Sequence, residues 1–133
     1  MPNIKVIIPA YNEEKSIAHV INDIPEIVDE VIVVNNNSTD QTAKTATNAG
    51  ATVLTEFNKG YGYACLKGMD YISQQKTKPD IIVFLDGDYS DYPEELIHLI
   101  DPIINDNIDL VIGARNKDLR AAHSMTPQQI FGN

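Results

Sequence analysis

The chain has 133 residues, 43% of them hydrophobic, enough for a single globular domain spanning residues 1–133 that buries most of what its unfolded form exposes. Ten Lys+Arg against nineteen Asp+Glu give a formal net charge of -9, which leaves no basic stripe for a phosphate backbone and excludes nucleic acid as a partner. An acidic protein that handles an anionic substrate needs local positive charge from a bound metal ion, a few placed basic groups or helix N-termini.

Met1 leads almost directly into the apolar run Ile4 to Ile8, a strand, without the basic region, apolar core and cleavage site of a secretory signal. The expected location is cytoplasmic. Ile17, Val20, Ile21 and Ile24 then recur at i, i+3, i+4 and i+7, which predicts a helix ended or bent by Pro25. Val31 to Val34 reads as a second strand. Thr42 to Ala49 reads as a helix with Ala43, Ala46 and Ala49 on one side and Gly50 as its C-terminal stop. A third strand covers Thr52 to Leu54, and Ala64, Cys65, Met69 and Ile72 mark a third helix. Cys65, the sole cysteine, cannot form an internal disulfide and reads as a small buried thiol rather than a redox or zinc group.

Ile81 to Leu85 is the fourth strand. In the helix predicted next, Pro93 suits the first turn, Glu94 and Glu95 favour the positive end of the dipole, and Leu96, Ile97, Ile100, Ile103 and Ile104 face inward, with Pro102 kinking or splitting it. Leu110 to Ile112 is the fifth strand. His19, His98 and His123 have neither ligand spacing nor a nucleophile beside them and read as structural or solvated. No apolar run approaches the roughly 18–20 residues that cross a bilayer.

The strands are nearly continuous in Val, Ile and Leu, the habit of strands covered on both faces. Their alternation with helices predicts an α/β fold, a mostly parallel sheet flanked by helices with right-handed crossovers. Ligands of such sheets bind beyond the carboxyl ends of the strands. Polar residues gather there: Pro9-Ala10-Tyr11-Asn12-Glu13-Glu14 after the first strand, Asn35-Asn36-Asn37-Ser38-Thr39-Asp40 after the second, Asp86-Gly87-Asp88 after the fourth and Gly113-Ala114-Arg115 after the fifth. Asp86 and Asp88, two positions apart, can turn to the same side, with Gly87 expected to let a ligand approach the backbone. Two carboxylates make an oxygen site for a hard divalent cation, Mg²⁺ or Mn²⁺, which bridges an acidic protein to substrate phosphates.

Four segments together resemble family 2 glycosyltransferases. Val83 to Leu96, containing Asp86-Gly87-Asp88, is similar to the family's donor-binding segment, and Ile7 to Glu14 to its opening strand and nucleotide-contacting turn. Glu30 to Thr42 resembles its second strand and Asp-rich turn, and Asn58-Lys59-Gly60-Tyr61-Gly62-Tyr63-Ala64, with Gly68, resembles the glycine-containing start of its third helix. They run from about Ile4 to Arg115 in the family's order and spacing.

The resemblance implies a Rossmann-like GT-A nucleotide-sugar-binding domain, similar to polyprenyl- or dolichyl-phosphate sugar transferases. It implies that a sugar moves, with inversion, from a UDP- or GDP-sugar to a glycan hydroxyl or a polyprenyl phosphate. The donor contacts it implies are Pro9, Tyr11 covering the base, Asn12, Glu13, Asn35, Asn36, Ser38, Lys59, Gly60, Asp86, Gly87, Asp88 and Arg115, with Asp88 and Asp86 at the metal. Lys59 and Gly60 would meet the diphosphate; Arg115 is a candidate for the diphosphate or an acceptor phosphate, or a surface ion-pair partner.

The chain departs from the family at Asn35, where Asp is usual, and at Asn37, where Gly is frequent. Asn37 suits a positive φ, while Asn35 keeps a carbonyl acceptor for a base N–H but loses the charge, leaving uridine and guanosine donors both open. The resemblance puts the general base well past the metal motif, beyond Asn133, so the chain reads as a truncated donor-binding half with no catalytic base of its own. The alternative is a nucleotide-sugar-binding module inactive in isolation. Envelope glycan synthesis at the inner face of the membrane, peripheral membrane contact and a homodimer are compatible with this reading. A phosphoacceptor receiver domain shares the layout, but it requires a lone Asp after the third strand and a Lys after the fifth, where this chain has Thr55-Glu56 and Arg115.

Overall fold

The computed structural model describes residues 3–77, 79–85 and 87. The expected helix beginning at Pro93 and the strand Leu110 to Ile112 lie outside the described residues. Within them the chain runs β1 (Ile4–Ala10), α1 (Ile17–Asn22), β2 (Glu30–Asn35), α2 (Thr42–Asn48), β3 (Thr52–Thr55), α3 (Tyr61–Ser73) and β4 (Ile81–Phe84). Every strand pairing is parallel, and the sheet order is β3-β2-β1-β4. The chain therefore winds outward from β1 to β3, then crosses back to lay β4 on the other side of β1. The reversal between β1 and β4 is the topological switch point of the sheet.

The period of two along each strand sorts the core into two layers. Ile4, Val6, Ile8 and Ala10 of β1 pack with Ile17, Val20 and Ile21 of α1 and Ala46 of α2 on one face. Ile7, Ile32, Val34 and Phe84 meet Ala64, Cys65 and Ile72 of α3 on the other. The strands lack polar alternation because both faces are covered, as expected from their composition. Cys65 is buried, and Gly50, at φ +101°, follows α2 as its stop. Helix α1 ends at Asn22, two residues before the apolar spacing does; Ile24 still packs on the core, its N–H reaching Ile21 O at 3.3 Å.

Pro9 has a positional meaning in this sheet. Ile7 accepts from Leu85 N–H, so its backbone groups face β4, and Pro9, two residues on, faces the same way. The β1–β4 ladder has already ended at Ile7↔Phe84. A residue without an N–H is thus placed past the end of the described ladder, where no partner strand takes one.

At the opposite, amino-end rim, Glu30 collects four side chains: Lys5 Nζ at 2.7 Å, Tyr71 Oη at 2.8 Å, Thr52 Oγ1 at 2.8 Å and Gln75 Nε2 at 3.4 Å. Burial pushes the Glu30 carboxyl up, but the hydrogen bonds from Lys5, Tyr71, Thr52 and Gln75 outweigh it and hold the carboxyl at about 2. Tyr71, donating to that carboxylate and partly desolvated, is held above its ordinary value. A folded-state value below the unfolded one means that the carboxylate contributes stability above the unfolded value of 4.5, lost as pH falls towards 2. Glu30→Gln is expected to flatten the loss of stability between those two pH values in urea unfolding curves. At neutral pH it lowers stability by about 1–3 kcal/mol, through the unmatched Lys5 ammonium.

Candidate donor-binding site

The site is built from the loops beyond the carboxyl ends of the strands, and two of these loops are sewn together. Asn12 N–H donates to Ser38 Oγ at 2.9 Å, Glu13 N–H to Thr42 Oγ1 at 2.8 Å and Glu14 N–H to Asp40 Oδ2 at 3.4 Å. In return Thr39 N–H donates to Asn12 Oδ1 at 2.8 Å and Gln41 N–H to Glu14 Oε2 at 3.3 Å. Asn12 at φ 53° and Asn37 at φ 57° take the left-handed conformations that turn the chain, Asn37 as its place in the motif predicts. Asp40 also receives Thr42 N–H at 2.9 Å and the Thr42 hydroxyl, fastening the start of α2. Burial opposes ionisation of Asp40 but is outweighed by these bonds from Thr42 and that from Glu14, so its carboxyl lies below the usual range.

This seam bears on the expected contacts. The Asn12 side chain serves Thr39 and the Ser38 oxygen serves Asn12, so both residues shape the rim from within it. Asp40 and Thr42 were not among the expected site residues. The pattern Asp-x-Thr just before a helix is the signal for them, since a short polar side chain there takes the helix's unpaired N–H groups.

Asn35 closes β2 and is nine-tenths buried, with 9% exposure. Its Oδ1 accepts Ser38 N–H at 3.1 Å, which fixes the amide orientation. The carbonyl expected to read a base N–H thus already carries one bond, and Nδ2 forms no hydrogen bond with a described residue. Asn36 is oriented differently: Nδ2 donates to Glu56 O at 3.0 Å and Asn58 O at 2.8 Å, and Oδ1 accepts Gly60 N–H at 2.9 Å. Lys59 is exposed and makes no ion pair with a described residue. Gly60, at φ +129° and ψ 149°, precedes the first turn of α3.

The β1 side meets the acidic motif at its middle residue. Gly87 is buried, and a Cβ built on it would lie 3.3 Å from Ala10 Cβ, 3.3 Å from Ile17 Cδ1 and 3.4 Å from Glu13 Cγ. The bare side of this glycine is therefore filled by protein, packed closely onto β1 and α1. Ser16 Oγ donates to Gly87 O at 2.7 Å and lies 3.1 Å from Glu13 Oε2. Ser16 escaped the sequence reading because a lone serine before an apolar helix looks like an ordinary N-cap, and it makes no capping bond of that kind. Asp86, Asp88 and Arg115 lie outside the described residues. Among the described residues no group of three or more His, Cys, Asp or Glu is placed to hold a metal ion. Tyr11, 45% exposed, stands just past β1 on the same rim.

A family profile described as Glycosyl transferase family 2 matches residues 5–131, nearly the whole chain. The chain belongs to glycosyltransferase family 2. It is 37% identical over 118 residues to protein RfbJ of Shigella flexneri, covering 87% of this chain and 88% of that protein. It is 32% identical to the UDP-N-acetylglucosamine--dolichyl-phosphate N-acetylglucosaminyltransferase of Methanococcus voltae, covering 98% of this chain and 59% of that one. Among solved structures, glucosyl-3-phosphoglycerate synthase from Mycobacterium tuberculosis in complex with Mn²⁺, UDP and glucosyl-3-phosphoglycerate superposes with a TM-score of 0.65 at 32% identity. That match covers 77% of this chain and 39% of the synthase. The parallel sheet flanked by helices is thus the GT-A fold expected from the motifs. The family 2 chain spans well under two thirds of the dolichyl-phosphate transferase and of the synthase. No helix among its described residues is long and apolar enough to cross a membrane.

Proposed function

We propose that this family 2 chain binds a nucleoside-diphosphate sugar at the switch point between β1 and β4 and takes part in metal-dependent transfer of the sugar, with inversion, to a glycan hydroxyl or a polyprenyl phosphate. The observation that carries the reading is the seating of Gly87, the middle residue of the Asp86-Gly87-Asp88 motif, against Ala10, Glu13 and Ile17 at the end of β1, fastened by Ser16. That is where an open α/β sheet binds its ligand.

In this reading Tyr11 covers the base and Asn35 offers its Nδ2 to a base carbonyl, with Glu13 and Ser38 close by for base or ribose. Lys59 and the Gly60 backbone meet the diphosphate, with Arg115 a further cation for it. The Asp86 and Asp88 carboxylates are an all-oxygen donor set, which suits Mg²⁺ or Mn²⁺. A divalent ion held there supplies Lewis-acid stabilisation of the charge that develops on the departing diphosphate. The Mn²⁺ and UDP bound by the mycobacterial synthase support this assignment. The acceptor's proton requires a general base, for which no described residue is proposed.

A thermal-shift panel of UDP- and GDP-sugars with Mn²⁺ tests the reading, since a ligand that binds only the folded chain raises its melting temperature in proportion to RT ln(1 + [L]/Kd). At least one of these donors is expected to raise it, and the shift is expected to disappear with EDTA. A panel without any shift contradicts the proposal. A parallel transfer assay to a polyprenyl phosphate distinguishes an active transferase from a module that binds the donor without turnover.

A further inference from the structure

We propose that Asn36 is a positioning residue for the diphosphate end of the donor site: it holds the backbone of residues 56–60 so that Lys59 and Gly60 face the donor. The inference rests on the donor-site reading above.

A primary amide has two N–H donors and one carbonyl oxygen. In Asn36 both donors are committed, to Glu56 O and Asn58 O, and the oxygen holds Gly60 N–H, in a side chain of a residue only 7% exposed. The three partners fix the amide orientation, because a flipped amide would set N–H against N–H at Gly60 and oxygen against two carbonyls. Asn36 thus has no proton left for a base or ribose oxygen. Lys59 stands between Asn58 and Gly60, and Asn36 ties both of these neighbours. The loop's other ties are Glu56 N–H to Asn35 O at 2.9 Å, which prolongs the β2–β3 ladder, the local bond from Asn58 N–H to Glu56 Oε2 at 2.8 Å, and Ala64 N–H to Gly60 O at 3.2 Å in the first turn of α3. None of the three reaches Lys59, and the last holds Gly60 by its carbonyl alone, leaving its N–H to Asn36. Gly60, at φ +129°, is in a region that only glycine enters readily, so the bond on its N–H selects one arrangement of an otherwise permissive residue. An aspartate is nearly the same size as asparagine but has no N–H, and its carboxylate would face the Glu56 and Asn58 carbonyls with lone pairs alone.

The test compares UDP with uridine, both with Mn²⁺, on the full 133-residue chain, using calorimetry for UDP and NMR shift titration for uridine. Asn36→Asp is expected to weaken UDP about tenfold, as the loss of two buried hydrogen bonds implies, while uridine affinity stays within about twofold. Adding Lys59→Ala to Asn36→Asp is expected to cost less than Lys59→Ala does in the wild-type chain, because residues that act through one another are not additive. Equal weakening of UDP and uridine, or full additivity with Lys59→Ala, overturns the proposal. If Asn36→Asp does not fold, Asn36→Ser, which keeps one donor, carries the same comparison with a smaller loss. A wild-type chain that binds neither ligand overturns the donor-site reading, and this inference with it.

Discussion

Gly68→Ala is expected to destabilise the chain by about 1–2 kcal/mol, although it replaces the second-worst helix former with the best. The added Cβ would lie 2.8 Å from Ile7 Cγ2 and 3.0 Å from Ile7 Cδ1. Ile7 is fully buried in the middle of β1, between two paired strands, and its Cγ2 is one bond from Cβ, so neither the side chain nor the strand can retreat cheaply. Overpacking of this kind costs about 1–3 kcal/mol and outweighs the propensity gain of roughly 1 kcal/mol. Gly62→Ala, on the same helix with nothing within 4 Å of the new methyl, takes the gain without the clash. It should be neutral or stabilising by up to about 1 kcal/mol. Urea unfolding of the two variants beside the wild type decides the matter: equal effects would mean that α3 does not pack on Ile7 as described.

The second large effect is on binding. Asp88→Ala is expected to weaken UDP in the presence of Mn²⁺ by on the order of 100-fold, because a hard cation bound through one or two carboxylates and substrate phosphates loses a principal ligand. Asp86→Ala is expected to weaken UDP as well, because it removes the second carboxylate of the same oxygen set. The signature is in the metal dependence. With EDTA, Asp88→Ala and the wild type should bind UDP equally weakly, since the carboxylate acts through the ion. Undiminished affinity in Asp88→Ala would remove the metal site from this motif.

Most of the fold was legible because its strands are apolar on both faces and its helices are apolar on one, so the two periods separate cleanly along the chain. The strand limits moved only at the rims: β1 extends past Ile8 to Ala10 because β2 continues beside it to Asn35. The sheet order was not legible, because residue patterns say which segments are strands and little about which side of β1 the fourth one joins. The site was legible as a set of polar turns, in which Asn37 could be given its left-handed conformation because it stands where the family often has Gly and asparagine tolerates a positive φ.

What the turns do to one another was not legible. Asn12 Oδ1, Ser38 Oγ and the Asn36 amide each bond backbone N–H or C=O groups of neighbouring loops, a role that their sequence context does not show. A short polar side chain satisfies a loop as readily as a substrate, and only coordinates tell the two apart. Gly87 is similar: a glycine between two aspartates does not disclose that Ala10, Ile17 and Glu13 pack against its Cβ position. In the proposed function, the seam between the turns after β1 and β2 leaves the rim set before a donor arrives, which lowers the ordering cost of binding.

The proposed function requires a divalent ion that joins the diphosphate to the Asp86-Gly87-Asp88 motif at the switch point. The most direct measurement is a calorimetric titration of the chain with UDP in Mn²⁺, repeated after EDTA. One saturable site is expected in Mn²⁺, with a loss of measurable heat in EDTA. UDP binding of equal strength in both solutions, or no binding in Mn²⁺, would contradict it.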